Sequence, residues 1–208
     1  MAMQIYLLRH PETEWNKQGR FQGQTDIPIN ETGMDQLERT LPFLATLPVQ
    51  VIYSSPLKRA KIVAQRVSRA TGLPMFEDTR IMEVNCGRWE GKVAQTLAIE
   101  EPELFSLWKS NPYDFRIPGG ESYQDVENRT SAFLKDIISD EKNALVVSHG
   151  IAITTMLRFV LQIPKEHVRV LHIENLGLAK LEVDANAIAY TIVNPALELK
   201  VASLLQQV

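Results

Sequence analysis

The chain has 208 residues, 45% of them apolar and 23% charged, with a formal net charge of -3. That is enough length for one sizeable core, so one domain over residues 1–208 is expected, and there is no field of basic charge to hold nucleic acid. The lone cysteine, Cys86, excludes an intrachain disulfide and a cysteine metal cluster; it suits a reducing compartment, with the cytoplasm as the expected location.

The first apolar stretch is too short to span a membrane and carries no basic leader, so no membrane partner is expected. No internal repeat, low-complexity tract or Pro/Gly/Ser-rich linker interrupts the chain. MQIYLL (3–8) predicts a buried first strand that stops at Arg9 and His10. After a polar loop to Asn30, residues 31–47 carry apolar side chains at helical spacing, with Pro42 expected to kink or break the helix. VQVIYS (49–54) is the second strand. Ser55 and Pro56 supply an expected N-cap and first residue for a helix over 56–72, stopped by Gly72. Residues 75–84 read as extended. Helical stretches over 96–108 and 123–140 are separated by NPYDFRIPGGES (111–122), with Ser122 capping the second. ALVVS (144–148) is the third strand and runs into a helix over 150–162. Residues 170–184 and 187–194 alternate well enough to pair as strands, with a turn near Ala185 and Asn186. This alternation predicts an α/β fold, a three-layer α/β/α sandwich with a mostly parallel central sheet.

Ligands of open parallel sheets collect beyond the carboxyl ends of the strands, where strand order reverses. The first strand delivers Arg9 and His10 there. The second leads through Ser54 and Ser55 into a helix bearing Arg59, and the third delivers His149 and Gly150. A single histidine at a strand end is most often a structural hydrogen-bonder, and Arg59 alone reads as a solvated helix charge. Together, two imidazoles and two guanidiniums are unfavourable without an anion, so the cluster reads as a site for a dianion such as phosphate. The arginines offer fork geometry, and the helix opening at Gly150 aims backbone N–H groups at the same place.

LLRHPETEWN, GRFQGQTDIPINETG, SSPLKRAKIVA, EVNCGRWEG and VVSHG follow one another along most of the chain. This ordered set resembles the histidine phosphatase superfamily, the phosphoglycerate mutase-like proteins. The resemblance implies that family's fold, Gln22 and Gly23 at the substrate entrance, and Glu83 as the general acid and then base. One position departs from the family pattern: Pro11 stands where glycine usually follows the first histidine. A proline keeps the main-chain carbonyl that orients the imidazole and loses the N–H.

Neighbouring arginines disfavour imidazolium, which leaves His10 free to attack phosphorus and form a phosphohistidine. Arg9, Arg59 and His149 would stabilise the transferring group, with Asn16 donating an amide hydrogen bond. Glu12, Glu14 and Glu90 compete with Glu83 for the acid's role. Trp15, Trp89 and Trp108 read as core or core-edge packing, and His167 and His172 as structural. PGGES (118–122) shapes the pocket rim or is simply a loop entering a helix.

The scheme needs no metal and no cofactor, and the chain has no HExxH pair, P-loop or EF-hand motif. The expected activity is a metal-independent phosphatase acting on a small phosphorylated metabolite. VNCGRWEG after the acid resembles the phosphatase branch, including α-ribazole phosphatase-like members. A cofactor-dependent phosphoglycerate mutase and an inactive phospho-ligand binding module are the alternatives. Specificity is expected from residues 92–125, and the oligomeric state stays open, with a homodimer among the readings.

Overall fold

A strand covered on both faces must be apolar at consecutive positions, and Ile5, Tyr6, Leu7 and Leu8 are all buried. The computed structural model describes residues 2–168, 171–184 and 188–193. Its elements run β1 (Met3–Arg9), α1 (Glu14–Lys17), α2 (Glu31–Leu44), β2 (Val51–Ser54), α3 (Lys58–Thr71), β3 (Met75–Glu77), α4 (Ala94–Glu100), α5 (Pro102–Ser110), α6 (Tyr123–Ser139), β4 (Ala144–Ser148), α7 (Gly150–Leu161), β5 (Leu178–Val183) and β6 (Ile188–Val193). Short 3-10 turns lie at Thr79–Ile81, Gly87–Trp89 and Lys165–His167.

The strands form a six-stranded sheet of order β3-β2-β4-β1-β5-β6. The first four are parallel, and β5 and β6 run antiparallel at one side. Strand side chains alternate between two cores. Ile5, Leu7 and Val146 pack with α6 and α7, while Tyr6, Leu8, Leu145 and Val147 pack with α2 and α3. That is the expected three-layer sandwich. Among the described residues no helix is long and apolar enough to cross a membrane.

Register positions the functional end of the sheet. Arg9 is paired with Ser148, and Ser54 with Val147, so His10, His149 and Ser55 leave three adjacent strands at one level. The loop after His10 is held from behind by α2. Asn30 caps that helix by accepting from Gly33 N at 2.8 Å. A Cβ at Gly33 would fall 2.1 Å from Glu12 O, so only glycine lets the helix start lie directly on the loop backbone.

Several elements differ from the sequence reading. Pro42 does not break α2; it lies in the last turn, where its missing N–H sacrifices one hydrogen bond. Ser55 does not cap α3, which starts at Lys58 with Leu57 as N-cap. Gly72 does stop α3, in a left-handed conformation with φ 74°. The polar loop contains α1, built on a Thr13–Asn16 capping box. Only Met75–Glu77 of the extended 75–84 stretch is a strand. The 96–108 helix is two helices, broken at Glu101 because the residue before Pro102 avoids helical backbone. Ser122 caps α6 through a full capping box with Asp125. β5 begins at Leu178, well after the expected strand start; ahead of it Ile173 O accepts from Arg9 Nη1, Leu171 O accepts from Thr154 Oγ1, and Gly177 N closes a turn on Glu174 O. The turn expected near Ala185 and Asn186 lies outside the described residues.

Candidate active site

The two strand-end histidines are neighbours, with ring centroids 5.2 Å apart. His10 Nδ1 lies 2.7 Å from Pro11 O. A carbonyl only accepts, so Nδ1 carries the hydrogen and a neutral His10 presents its lone pair at Nε2. Proline therefore preserves the orienting contact despite the departure from glycine. His149 Nδ1 accepts from Arg59 Nε at 3.3 Å, which leaves Nε2–H to donate to Ser55 Oγ at 2.8 Å. Ser55 Oγ also accepts from Leu57 N at 3.3 Å, so the side chain expected to cap a helix holds an imidazole.

All of this is buried: His10 is 2% exposed, and His149 and Arg59 are 0% exposed. Burial first, then the Arg59 and Arg9 guanidiniums, hold His10 well below the ordinary histidine range, with the Pro11 carbonyl opposing. Burial and Arg59 depress His149 likewise. Arg59 is anchored by donating to Gly23 O at 2.7 Å and Thr25 O at 2.8 Å. With Nε on His149, two of its five N–H groups remain. Arg9 donates from Nη1 to Ile173 O at 2.7 Å, but its Nε is buried without a partner. An unmet donor on a buried cation is costly, and it marks a position where an incoming anion gains most.

Glu83 faces this cluster. Its Oε1 accepts from Val84 N at 2.9 Å and Ala152 N at 3.3 Å, and its Oε2 accepts from Ile151 N at 3.3 Å. The carboxylate thus caps α7, whose own N-cap, His149, makes no side-chain cap bond. A Cβ built on Gly150 would sit 3.6 Å from Arg9 Nε and 3.7 Å from Glu83 Oε2, which brings cation, acid and helix start together.

A cavity of about 440 Å³ opens over these groups. Arg9, Asn16, Gln22, Gly23, Glu83 and Gly150 lie on its wall. His10, Arg59 and His149 do not line it; they are buried at the strand ends beside it. Asn16 Oδ1 accepts from Thr13 N and Thr13 Oγ1, which turns the amide nitrogen away from those donors. Gln22 Oε1 lies 2.9 Å from Thr13 Oγ1 and shares that hydroxyl's single hydrogen with Asn16.

The competing carboxylates have other tasks. Glu90 accepts from Gln24 N at 2.8 Å, from Cys86 N and from Thr25 Oγ1, which braces the loop that Arg59 also holds. Gly23, with φ 53°, passes so close that a Cβ would fall 2.0 Å from Glu90 Oε1. Glu12 accepts from Asn30 Nδ2, and Glu14 from the exposed Gln18. Trp89 is core, as expected, and Trp15 is half-buried beside Gly91. Trp108 packs at the core edge, against Trp89 and Phe105, and is also part of the cavity wall. His172 also differs from its structural reading: it stands exposed at the cavity, 3.2 Å from Glu174. His167 is exposed on a 3-10 turn. PGGES packs its backbone on residues 85–88, where a Cβ at Gly120 would meet Asn85 O at 2.2 Å, and Ile117 just before it reaches the cavity. Burial pushes the Cys86 thiol far up, so it is no rival nucleophile.

Three residues that carry the site were not anticipated. Arg129, on α6, donates to the carbonyls of Arg80, Met82 and Glu83 and pairs with Glu121. Glu121 in turn accepts from Asn85 N, closing the strap around Glu83. Asn175 donates to His10 O at 2.9 Å. All three lie outside the matched motifs, and a polar residue on a helix or loop is a signal that many surface residues share. Among the described residues, no group of three or more His, Cys, Asp or Glu side chains is placed to hold a metal ion.

Residues 5–195 match the family model of the histidine phosphatase superfamily, branch 1. Phosphoserine phosphatase 1 of Hydrogenobacter thermophilus is 35% identical over 156 residues, covering 74% of each chain. A probable phosphoglycerate mutase of Shigella boydii is 32% identical over 182 residues, 86% of this chain and 85% of that one. Among solved structures, a mycobacterial glucosyl-3-phosphoglycerate phosphatase in complex with vanadate superposes with a TM-score of 0.82 at 25% identity, covering 93% of this chain and 98% of that one.

Proposed function

The chain belongs to the histidine phosphatase superfamily, branch 1, and from that premise we propose that it hydrolyses a small phosphate monoester through a phosphohistidine on His10, without a metal ion. Such esters resist hydrolysis because a nucleophile must approach an anionic phosphorus and an alkoxide must depart. One observation carries the reading: the 2.7 Å contact from His10 Nδ1 to Pro11 O leaves Nε2 of a neutral ring as the attacking atom.

In the first step Nε2 bonds to phosphorus as the bond from phosphorus to the ester oxygen breaks, and a proton passes from the Glu83 carboxyl group to the leaving oxygen. In the second, Glu83 takes a proton from water, the water oxygen bonds to phosphorus, and the P–N bond breaks. Inorganic phosphate leaves and His10 is restored. Arg9 and Arg59 stabilise charge on the equatorial oxygens, helped by Asn16 and by the positive end of α7 at Gly150, while His149, whose two ring nitrogens are taken by Arg59 and Ser55, holds the Arg59 guanidinium in place. Gln22 and Gly23 form the entrance. Vanadate, held by the mycobacterial relative, mimics a phosphoryl group, and that relative's phosphatase name supports the same chemistry here.

The test is release of phosphate from p-nitrophenyl phosphate in EDTA, with rapid acid-free quenching to trap phosphoprotein. His10→Ala is expected to abolish both turnover and the acid-labile adduct. Full activity in that variant, or activity only with added metal, would remove the scheme. Isomerisation of 3-phosphoglycerate primed by 2,3-bisphosphoglycerate, without phosphate release, would turn the reading to a mutase.

A further inference from the structure

Resting on the hydrolase reading, we infer that this site selects an apolar leaving group: an aryl or branched-alkyl phosphate whose phosphoryl group is its one charged part. The cavity holds about 440 Å³, within the range of small-molecule sites. A phosphoryl group takes on the order of two to three water volumes of ~30 Å³ each. Most of the space therefore belongs to the rest of the substrate.

The wall of that space is mixed, with Arg20, Gln22, Tyr123, Thr154 and His172 standing among apolar side chains. Its apolar part is supplied by Phe21, Trp108, Ile117, Val168, Leu171 and Ile173. They come from the segment after α1, from α5, and from the stretches before α6 and β5. Phe21 and Trp108 meet edge to face with centroids 5.2 Å apart, and Ile117, Val168 and Ile173 are each 1% exposed. A flat hydrocarbon leaving group laid against this wall exchanges water for close contact.

A second anion would find poor terms there, because a carboxylate taken from water must be paired. Among the described residues on the wall, the cationic or imidazole groups apart from Arg9 are Arg20 and His172. Arg20 is exposed and already donates to Gln18 Oε1 and to Gly91 O, each at 2.6 Å. His172 stands in solvent beside the Glu174 carboxylate, which repels an approaching anion. Leaving groups bearing a carboxylate, as in phosphoserine or phosphoglycerate, are therefore disfavoured, although relatives carry names for such substrates.

The experiment compares kcat/KM for 1-naphthyl phosphate, O-phosphoserine and 3-phosphoglycerate in the full chain, Trp108→Ala and Leu171→Ser, with folding checked by circular dichroism. The naphthyl ester is expected to lead by about tenfold or more, or about 1.4 kcal/mol; because naphtholate leaves more readily than an alkoxide in any pocket, the wall's share of that lead is the part the variants remove. Either variant should lower its kcat/KM severalfold and narrow the gap. A lead for phosphoserine or 3-phosphoglycerate, or a ratio unmoved in both folded variants, overturns the inference and leaves the hydrolase reading standing. If the folded wild-type chain turns over none of the three, the hydrolase reading falls and this inference with it.

Discussion

Glu83 is held as an acceptor by three backbone N–H groups, yet the proposed chemistry has it deliver a proton. Its two oxygens divide the work. Oε1 makes two of the contacts and anchors the start of α7, whereas Oε2 makes a single 3.3 Å contact and faces the Gly150 and Arg9 corner. Glu83→Gln keeps an amide oxygen for the anchor and loses the transferable proton, so the variant should fold normally. General acids contribute about 10²–10⁴ in rate where the leaving group is poor. An alkyl phosphate should therefore lose about that much in kcat/KM, while p-nitrophenyl phosphate, whose phenolate leaves unaided, loses less than about tenfold. Steady-state kinetics on the two esters measure the difference. Equal losses on both would show that Glu83 serves the fold or the charge balance and not the leaving oxygen.

The loop bearing Glu83 has no regular structure of its own, so α6 supplies its rigidity through Arg129. That guanidinium serves three carbonyls and a carboxylate, and replacing it by alanine strands all of them in a half-buried place. Arg129→Ala is expected to cost about 1–3 kcal/mol of stability. It should also lower kcat for alkyl phosphates more than it changes KM, since it shifts the acid and not the phosphate donors. Urea midpoints and the same pair of esters test this; unaltered alkyl-ester kcat in a destabilised variant would confine Arg129 to stability. The strap also shows what a sequence can reveal. Gly72 and Ser122 were readable because a helix end is decided within four residues. Arg9, His10 and His149 could be grouped because each sits at or just past a strand end, a position that apolar runs announce, and Arg59 because the helix that bears it follows β2. Arg129 and Asn175 were not, because their partners lie 46 and 165 residues away and only the folded sheet brings them together. Ser55 misled for the same reason: its local signal is a helix cap, and a histidine 94 residues on claims it.

The sheet order sets β4 between β1 and β2, so the cationic cluster lies at the middle of the molecule and burdens the fold as a whole. His10 and His149 are both held well below the ordinary histidine range, chiefly by burial and Arg59. In the unfolded chain each titrates near 6.5. Below that value the unfolded state binds more protons than the folded one, so stability falls as pH falls. Per imidazole the slope is about 1.4 kcal/mol for each pH unit between the unfolded value and the depressed folded value. Carboxylates act in the same direction but lower in pH. Asp114, paired with Lys165, and Asp78, where Arg80 overcomes the effect of burial, have folded values below the usual aspartate range, so their loss begins only near about pH 4. Urea unfolding between about pH 7.5 and about pH 5 should therefore report the histidines, with the midpoint falling steadily below about 6.5. His149→Gln, which keeps a donor for Ser55 Oγ, should flatten the slope by about half. Saturating inorganic phosphate should raise the midpoint in wild type by binding the folded state alone. A flat midpoint over that window, in wild type and variant alike, would mean that the two rings gain protons without cost and are not the buried neutral pair that phosphoryl transfer to His10 needs.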